Sequence, residues 1–232
     1  MRKNYRKYNG FSLIELLLTT MILTVIMLLV ATTLNTVIKV SNTTNSKNTA
    51  RANMSYVMDY ISRALTNSEL GDIYLFNSVG VRTIGEGISG QLAVLSPLNL
   101  QNAYLDGKLG DETLRGNEIH IKLYGYNDWT CIGYFKDESG YGYLVRTVYE
   151  DDMQGDHSLC FSESAIVTPM HSFMIDVPSF YIDYLVMGDN ENRMFLINST
   201  LRPLYWPVGD TFPINKDVTR QAVVSTQALT WY

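Results

Sequence analysis

Residues 10–39 read GFSLIELLLTTMILTVIMLLVATTLNTVIK, and this stretch decides the fold of the chain. Within it, residues 16–38 carry no charge, and 16 of these 23 residues are apolar. At about 1.5 Å per residue, a helix of that length spans roughly 34 Å, which is enough to cross a hydrocarbon core of about 30 Å. Residues 11–70 also lack glycine and proline, whereas the rest of the chain is rich in both. The stretch therefore predicts one long helix that begins in a membrane.

The charges on either side of the apolar run predict its orientation. Four basic residues, Arg2, Lys3, Arg6 and Lys7, precede the run, and Lys39 closes it. Because positive charge is retained on the cytoplasmic side, we expect a single-pass cytoplasmic membrane protein with its N-terminus inside and residues beyond about 40 outside.

Two ordinary membrane segments are alternatives for this run. A secretory signal has an apolar core of about 7 to 15 residues and a small-residue cleavage site, and this core is too long and starts with Glu15. A plain signal anchor fits the apolar length, and in that case Glu15 extends to the lipid headgroups.

A short motif precedes the apolar run and accounts for the glutamate. Its residues are Gly10, Phe11, Ser12, Leu13, Ile14 and Glu15. With its basic leader, the motif resembles the prepilin-type cleavage and methylation motif of type IV pilins and type II secretion pseudopilins. The resemblance implies that a membrane prepilin peptidase removes residues 1–10 by cutting between Gly10 and Phe11, and then N-methylates Phe11. Glycine suits this position because it leaves the scissile carbonyl open to the peptidase.

The same resemblance gives Glu15 a role in assembly. In the family, this glutamate is thought to pair with the N-terminal amine of a neighbouring subunit, which here is the amine of Phe11. On this interpretation Glu15 has no partner in the monomer. The pair sets register more than it adds stability, because desolvation offsets much of the attraction. The implied partners are other pilin or pseudopilin subunits, the prepilin peptidase, the inner-membrane assembly platform and, before assembly, the lipid bilayer.

The helix is predicted to continue beyond the membrane to about residue 68. Residues 41–49 are almost wholly polar, and an apolar stripe with spacings of three and four follows. The stripe consists of Ala50, Met54, Val57, Met58, Ile61 and Leu65. We expect it to pack on a domain, which divides the chain into a leader (1–10), a transmembrane or filament-core segment (11–39), an extracytoplasmic helix half (40–70) and a β-rich head (71–232).

The head is predicted to be an antiparallel β structure. Residues 118–124 alternate strictly, which indicates a half-buried strand with Ile119, Ile121 and Leu123 facing the core. Further strands are predicted at residues 91–95, 129–135, 141–149, 180–187, 194–198 and 221–231, with hairpin loops at 136–140 and 188–192. Residues 80–90 are predicted to be a loop. The expected fold class is α+β and pilin-like: a long N-terminal helix, partly transmembrane, packed on an antiparallel sheet.

Two cysteines, Cys131 and Cys160, lie in the exported part of the chain. A disulfide between them is expected in an oxidising compartment, and closing a loop of about 30 residues stabilises a fold by roughly 3 to 4 kcal/mol. The alternative is two separate buried thiols.

The sequence offers little catalytic chemistry. It has no nucleotide-binding, serine-hydrolase or zinc-peptidase motif, and His120, His157 and His171 do not stand at metal-ligand spacing with either cysteine. We therefore expect no cofactor, no metal and no enzymatic activity. For metal binding, one acidic run leaves an alternative open: it is either a calcium site or a solvated loop. Its members are Glu150, Asp151, Asp152 and Asp156.

The net charge of the chain and the size of its head also bear on the expected function. The chain carries a net charge of −5, and loss of the basic leader makes it more acidic, which argues against general nucleic-acid binding. The large head and the strand at residues 143–146 resemble J-type pseudopilins and W-type minor pilins. The expected function is a minor pilin or pseudopilin that primes or caps a type IV pilus or type II secretion-like filament. The first alternative is a signal-anchored protein with an extracytoplasmic binding domain. The second is an exported enzyme tethered by the helix, for which the sequence offers no motif.

Overall fold

The computed structural model describes residues 10, 12–77, 82–87, 90–95, 114–149, 160–162, 165–187, 192–204 and 216–226. One helix, α1 (Leu13–Thr66), is followed by a 3-10 turn (Leu70–Asp72) and then by strands. The fold is α+β and pilin-like, as predicted, and α1 agrees closely with the predicted helix. The chain divides into two compact units, residues 1–45 and residues 46–232.

In the first unit, the apolar helix provides hydrogen-bond acceptors for its own threonine side chains. Threonine hydroxyls donate to backbone carbonyls three or four residues earlier, at Thr19, Thr20, Thr24, Thr32, Thr33 and Thr36. Because hydrocarbon offers no hydrogen-bond partner, this bonding lets threonine occupy a membrane-spanning helix. Among the described residues, α1 is the helix that is long and apolar enough to cross a membrane.

In the second unit, the strands form two sheets. Their bounds are β1 Ile73–Phe76, β2 Arg82–Glu86, β3 Leu92–Val94, β4 Leu114–Gly116, β5 Glu118–Lys122, β6 Trp129–Lys136, β7 Gly142–Tyr149, β8 Thr168–Pro169, β9 Ile175–Met187, β10 Asn192–Pro203 and β11 Val218–Thr226. The seven-stranded sheet has the order β1-β5-β6-β2-β3, with β7 on β6 and β8 on β7. The four-stranded sheet has the order β11-β10-β9-β4. The pairing is antiparallel except for a short parallel contact between β2 and β6.

The strand predictions succeed best where neighbours in sequence pair as hairpins. Strands β6 and β7 are antiparallel partners around the predicted turn, and β3 agrees with the strand predicted at residues 91–95. Strands β9 and β10 are longer than predicted. The predicted loop at residues 80–90 is wrong in part, because β2 lies inside it. Residues 188–191 and 227–231 lie outside the described part of the chain.

The main core lies between the second half of α1 and the two sheets. The predicted stripe of α1 is buried there, together with Ala64. It shares one apolar cluster with residues of both sheets, such as Ile119, Ile132, Ile182 and Phe195. The prediction that the stripe is a core contact is confirmed, and burial of such side chains stabilises the fold by roughly 1.5 to 3 kcal/mol each.

A second core covers the opposite face of the seven-stranded sheet. Alternate residues of β6 divide between the two cores, so that Ile132 belongs to the main core while Cys131 and Phe135 belong to the second. Strand β5 is consequently buried on both faces, because Glu118 and His120 are as inaccessible as Ile119 and Ile121. The prediction of a half-buried strand is therefore wrong: a second layer covers the face that alternation assigned to solvent.

A buried histidine makes the stability of this fold sensitive to acid. The backbone N–H of Leu144 donates to Nε2 of His171 at 3.1 Å, and this acceptor exists only in the neutral ring. Burial lowers the pKa of His171, and the Ser172 carbonyl and Asp176 oppose that effect only in part.

We expect the free energy of unfolding to fall as pH drops below about 6.5, because the unfolded chain then binds a proton that the folded ring resists. Denaturant unfolding of the full chain in detergent between pH 7.5 and 5 measures this slope, and His171→Gln should flatten it. The ion pair of Asp217 and Arg202 does not add to the slope in this pH range. The hydrogen bond from Arg202 lowers the pKa of Asp217, so the stability that this pair contributes is lost only in stronger acid. An equal slope in His171→Gln would contradict the assignment.

Candidate functional site

The start of α1 combines an exposed glycine with a helix cap. A Cβ atom added to Gly10 would meet no described atom within 4 Å, so nothing in the described fold demands glycine there. Phe11 lies outside the described residues, and α1 begins two residues later at Leu13. A requirement for glycine at position 10 would therefore come from something that acts on the chain.

Glu15 closes the first turn of the helix. Its carboxylate Oε2 accepts the backbone N–H of Ser12 at 3.3 Å, and the Ser12 carbonyl accepts the N–H groups of Glu15 and Leu16 at 3.0 and 3.2 Å. A serine followed three residues later by a glutamate is the capping-box pattern. The expectation that Glu15 has no partner in the monomer is therefore wrong, because it caps its own helix. It is also exposed in the isolated chain.

The side chains that follow form an uncovered apolar surface. Large apolar residues from Leu13 to Val40 are all at least half exposed, and Leu13 reaches 79%. In water such a surface is unfavourable, at roughly 25 cal/mol for each Å². The segment requires lipid or apolar side chains of other molecules around it.

In the head, the two cysteines meet in the second core. The Sγ atoms of Cys131 and Cys160 are in direct contact, and their Cα atoms are 6.0 Å apart, a separation usual for disulfides. Gly133 helps to make this approach possible. A Cβ there would lie 2.7 Å from the Phe135 ring and 3.1 Å from the ring of Phe161, which follows Cys160.

His120 lies beside the cysteine pair. The β5–β6 register places it directly opposite Cys131, and its ring nitrogen and the two sulfurs all lie within 4.8 Å of one another. We call His120, Cys131 and Cys160 the His–Cys cluster. All three residues are buried.

A buried charge network supports the His–Cys cluster. The His120 Nε2 atom lies 2.8 Å from Oε1 of Glu118, and Oε2 of Glu118 lies 3.2 Å from a guanidinium nitrogen of Arg82. The Arg82 guanidinium also lies 5.5 Å from the ring centroids of Phe135 and Phe161. A buried glutamate is retained at low cost only when it is paired, and here it has partners on both oxygens.

Comparison with known proteins adds one finding about the N-terminus. Residues 5–31 match the family model for the prokaryotic N-terminal methylation motif. The chain carries this motif. The motif is typical of type IV pilins and pseudopilins, a structural family, and its match covers Gly10, Ser12 and Glu15 together with much of the apolar helix. Searches of curated proteins and of solved structures found no match to the chain.

The methylation motif can be recognised from the sequence, whereas the His–Cys cluster cannot. Gly10 and Glu15 stand in one continuous motif, whereas the cluster combines residues of the neighbouring strands β5 and β6 with Cys160, which lies 29 residues beyond Cys131. The spacing of the histidines and cysteines along the sequence shows no metal-ligand pattern, but strand pairing places His120 opposite Cys131. The useful signal was the pair Glu118 and His120, two polar residues on one face of an apolar strand. The acidic run at residues 150–156 lies outside the described residues.

Proposed function

We propose that this chain is a minor pilin or pseudopilin, a structural subunit that primes or caps a type IV pilus or type II secretion-like filament. The observation that carries the proposal is the methylation motif at residues 5–31, joined to an apolar helix whose side chains are exposed. Lipid would cover that helix before assembly, and the helices of other pilin or pseudopilin subunits would cover it in the filament.

Processing would convert the start of α1 into an assembly element. Cleavage after Gly10 by a prepilin peptidase creates an amine on Phe11, four residues before Glu15. In the filament, we propose that the Glu15 carboxylate exchanges its weak contact with the Ser12 N–H for the charged amine of a neighbouring Phe11. The Ser12 N–H carries no net charge, whereas the Phe11 amine is a full positive charge, so the Coulomb attraction to the carboxylate favours this exchange away from water.

The head supports a position near the filament tip. The predicted head, residues 71–232, is bulky, and a wide head is difficult to repeat along a tightly packed shaft. In this proposal the N-terminus is cytoplasmic, the head is extracytoplasmic, and the assembly platform of the inner membrane extracts the processed subunit. The chain acts as a structural subunit and not as an enzyme.

N-terminal mass spectrometry of the protein from its native membrane or from sheared filaments tests the proposal. We expect a mature chain that begins with N-methylated Phe11. Gly10→Val should abolish cleavage without harming the fold, because a side chain at Gly10 meets no described atom. Gly71→Ala, at a second open glycine, is the matched control and should be processed normally. A wild-type chain that still begins at Met1 would instead support the signal-anchored alternative.

We also propose that Cys131 and Cys160 form a disulfide in the exported head. Cys131→Ala and Cys160→Ala should each lower the free energy of unfolding by roughly 3 to 4 kcal/mol, because the loop between them is no longer closed in the unfolded chain. The double variant should cost little more than either single variant, since both remove one bond. Urea unfolding of the oxidised protein measures these values, and additive effects would disprove the bridge.

A further inference from the structure

We propose that His120, Cys131 and Cys160 bind a thiophilic metal ion, with Zn²⁺ as the representative, when the two cysteines are in the dithiol state. The three donor atoms converge within 4.8 Å of one another on the buried second-core face of the seven-stranded sheet. The proposal concerns the head alone and does not depend on the role of the N-terminal helix.

The donor set suits a thiophilic ion. Thiolates select soft or borderline metals such as Zn²⁺ and Cu⁺, and imidazole is a common ligand for both. Two cysteines and one histidine form a known three-ligand zinc arrangement that leaves the fourth position for water. The Cα atoms of Cys131 and Cys160, 6.0 Å apart, place both sulfurs on one side of the sheet, next to the His120 ring.

Glu118 provides the orientation that a ligating histidine requires. Its Oε1 atom lies 2.8 Å from Nε2 of His120, so in the tautomer with the hydrogen on Nε2 that N–H donates a hydrogen bond to the carboxylate. Nδ1 then carries the lone pair and is the metal-binding nitrogen. A carboxylate behind a ligating imidazole is the usual second layer of such sites, because it fixes the ring and increases its basicity.

The buried charges balance when the ion is present. Arg82 and Glu118 already cancel each other, at 3.2 Å. Two thiolates contribute two negative charges, which cancel the two positive charges of Zn²⁺, and a metal-ligating imidazole adds no charge. Binding breaks two S–H bonds and releases two protons, with no transfer of electrons. The disulfide form does not bind, because its sulfurs are bonded to each other and carry no thiolate charge.

The test uses the full chain in detergent with Co²⁺ as a visible substitute for Zn²⁺. A phosphine reduces the disulfide to two thiols without adding a competing thiol, and it takes up the oxygen of one water molecule as it is oxidised. We expect the reduced protein to bind one Co²⁺ per chain with a sulfur-to-cobalt charge-transfer band, and Zn²⁺ to displace it. The oxidised protein should show no such band.

Two variants at the cluster and one control variant separate the cluster from other metal-binding groups in the chain. Glu118→Gln should weaken Co²⁺ binding about 10- to 100-fold, because the ring loses its charged support. His120→Gln should weaken it at least as much, whereas His171→Gln, at a buried histidine outside the cluster, should bind normally. Circular dichroism of each oxidised variant verifies its fold. The absence of a charge-transfer band in the reduced, folded wild-type protein would overturn the proposal, and so would an unchanged band in folded His120→Gln.

Discussion

Glu15→Ala is expected to exclude the subunit from filaments while leaving its membrane insertion intact. The substitution removes a charge beside lipid, so insertion becomes no harder. In the assembled filament, however, the Phe11 amine of the neighbouring subunit would remain buried without a counter-charge. Breaking a buried pair in this way costs about 3 kcal/mol or more, which corresponds to a loss of affinity on the order of a hundredfold.

Glu15→Gln separates the two roles of the carboxylate. Glutamine still accepts the N–H of Ser12 and so keeps the helix cap, but it carries no charge. If charge pairing drives assembly, Glu15→Gln should be excluded nearly as strongly as Glu15→Ala, and Glu15→Asp should recover part of the incorporation. Mass spectrometry of sheared filaments from cells that express variant and wild-type subunits together gives the ratio directly.

The membrane fraction of the same cells is the control, since all three variants should be present there at the wild-type level. Normal incorporation of Glu15→Gln together with exclusion of Glu15→Ala would show that the cap, and not the charge, is what the filament requires. Normal incorporation of both variants would remove Glu15 from the assembly mechanism.

Gly142→Ala is expected to destabilise the head strongly. Gly142 begins β7 at the place where the two sheets meet, and its N–H donates to Asp176 Oδ1 at 2.8 Å. A Cβ there would lie 2.0 Å from the Val177 carbonyl oxygen and 2.8 Å from the Tyr134 ring. Because the first obstacle is backbone, β9 must move away, which also disturbs the 2.9 Å bond from the Tyr134 hydroxyl to Val177.

We expect a loss of about 3 kcal/mol for Gly142→Ala, at the upper end of the cost of overpacking, and a fall in Tm of roughly 6 to 12 °C for a domain of this size. Thermal unfolding followed by circular dichroism measures this fall in Tm.

Two glycines serve as controls for Gly142→Ala. Gly71→Ala has open space and should be within about 0.5 kcal/mol of wild type. Gly140→Ala also has open space but a φ of 84°, and should cost about 1 kcal/mol from backbone strain alone. Equal values for Gly140→Ala and Gly142→Ala would show that the two sheets tolerate separation.

Local patterns in the sequence determined the long helix and the central hairpin. The apolar run, the absence of glycine and proline, and the stripe at residues 50–65 each act within a few turns of backbone, and α1 follows them. The β6–β7 hairpin could also be predicted from the sequence, because its strands are neighbours in sequence and the turn between them is rich in polar residues. The methylation motif is also local, because it is recognised as a continuous stretch.

Only the tertiary structure decided which residues face a second layer. Alternation along β5 identified Ile119 and Ile121 correctly, but it could not reveal that Glu118 and His120 are buried by a second core. Strand β2 was assigned to a loop because it lies in the glycine-bounded stretch at residues 80–90, although it pairs with its neighbour β3 and, through a short parallel contact, with the distant β6. Arg82, Glu118, His120 and the two cysteines come together through strand register and through the space that Gly133 leaves. The contacts of Arg82 with Glu118 and of Cys131 with Cys160 join residues distant in sequence, so no local pattern encodes them.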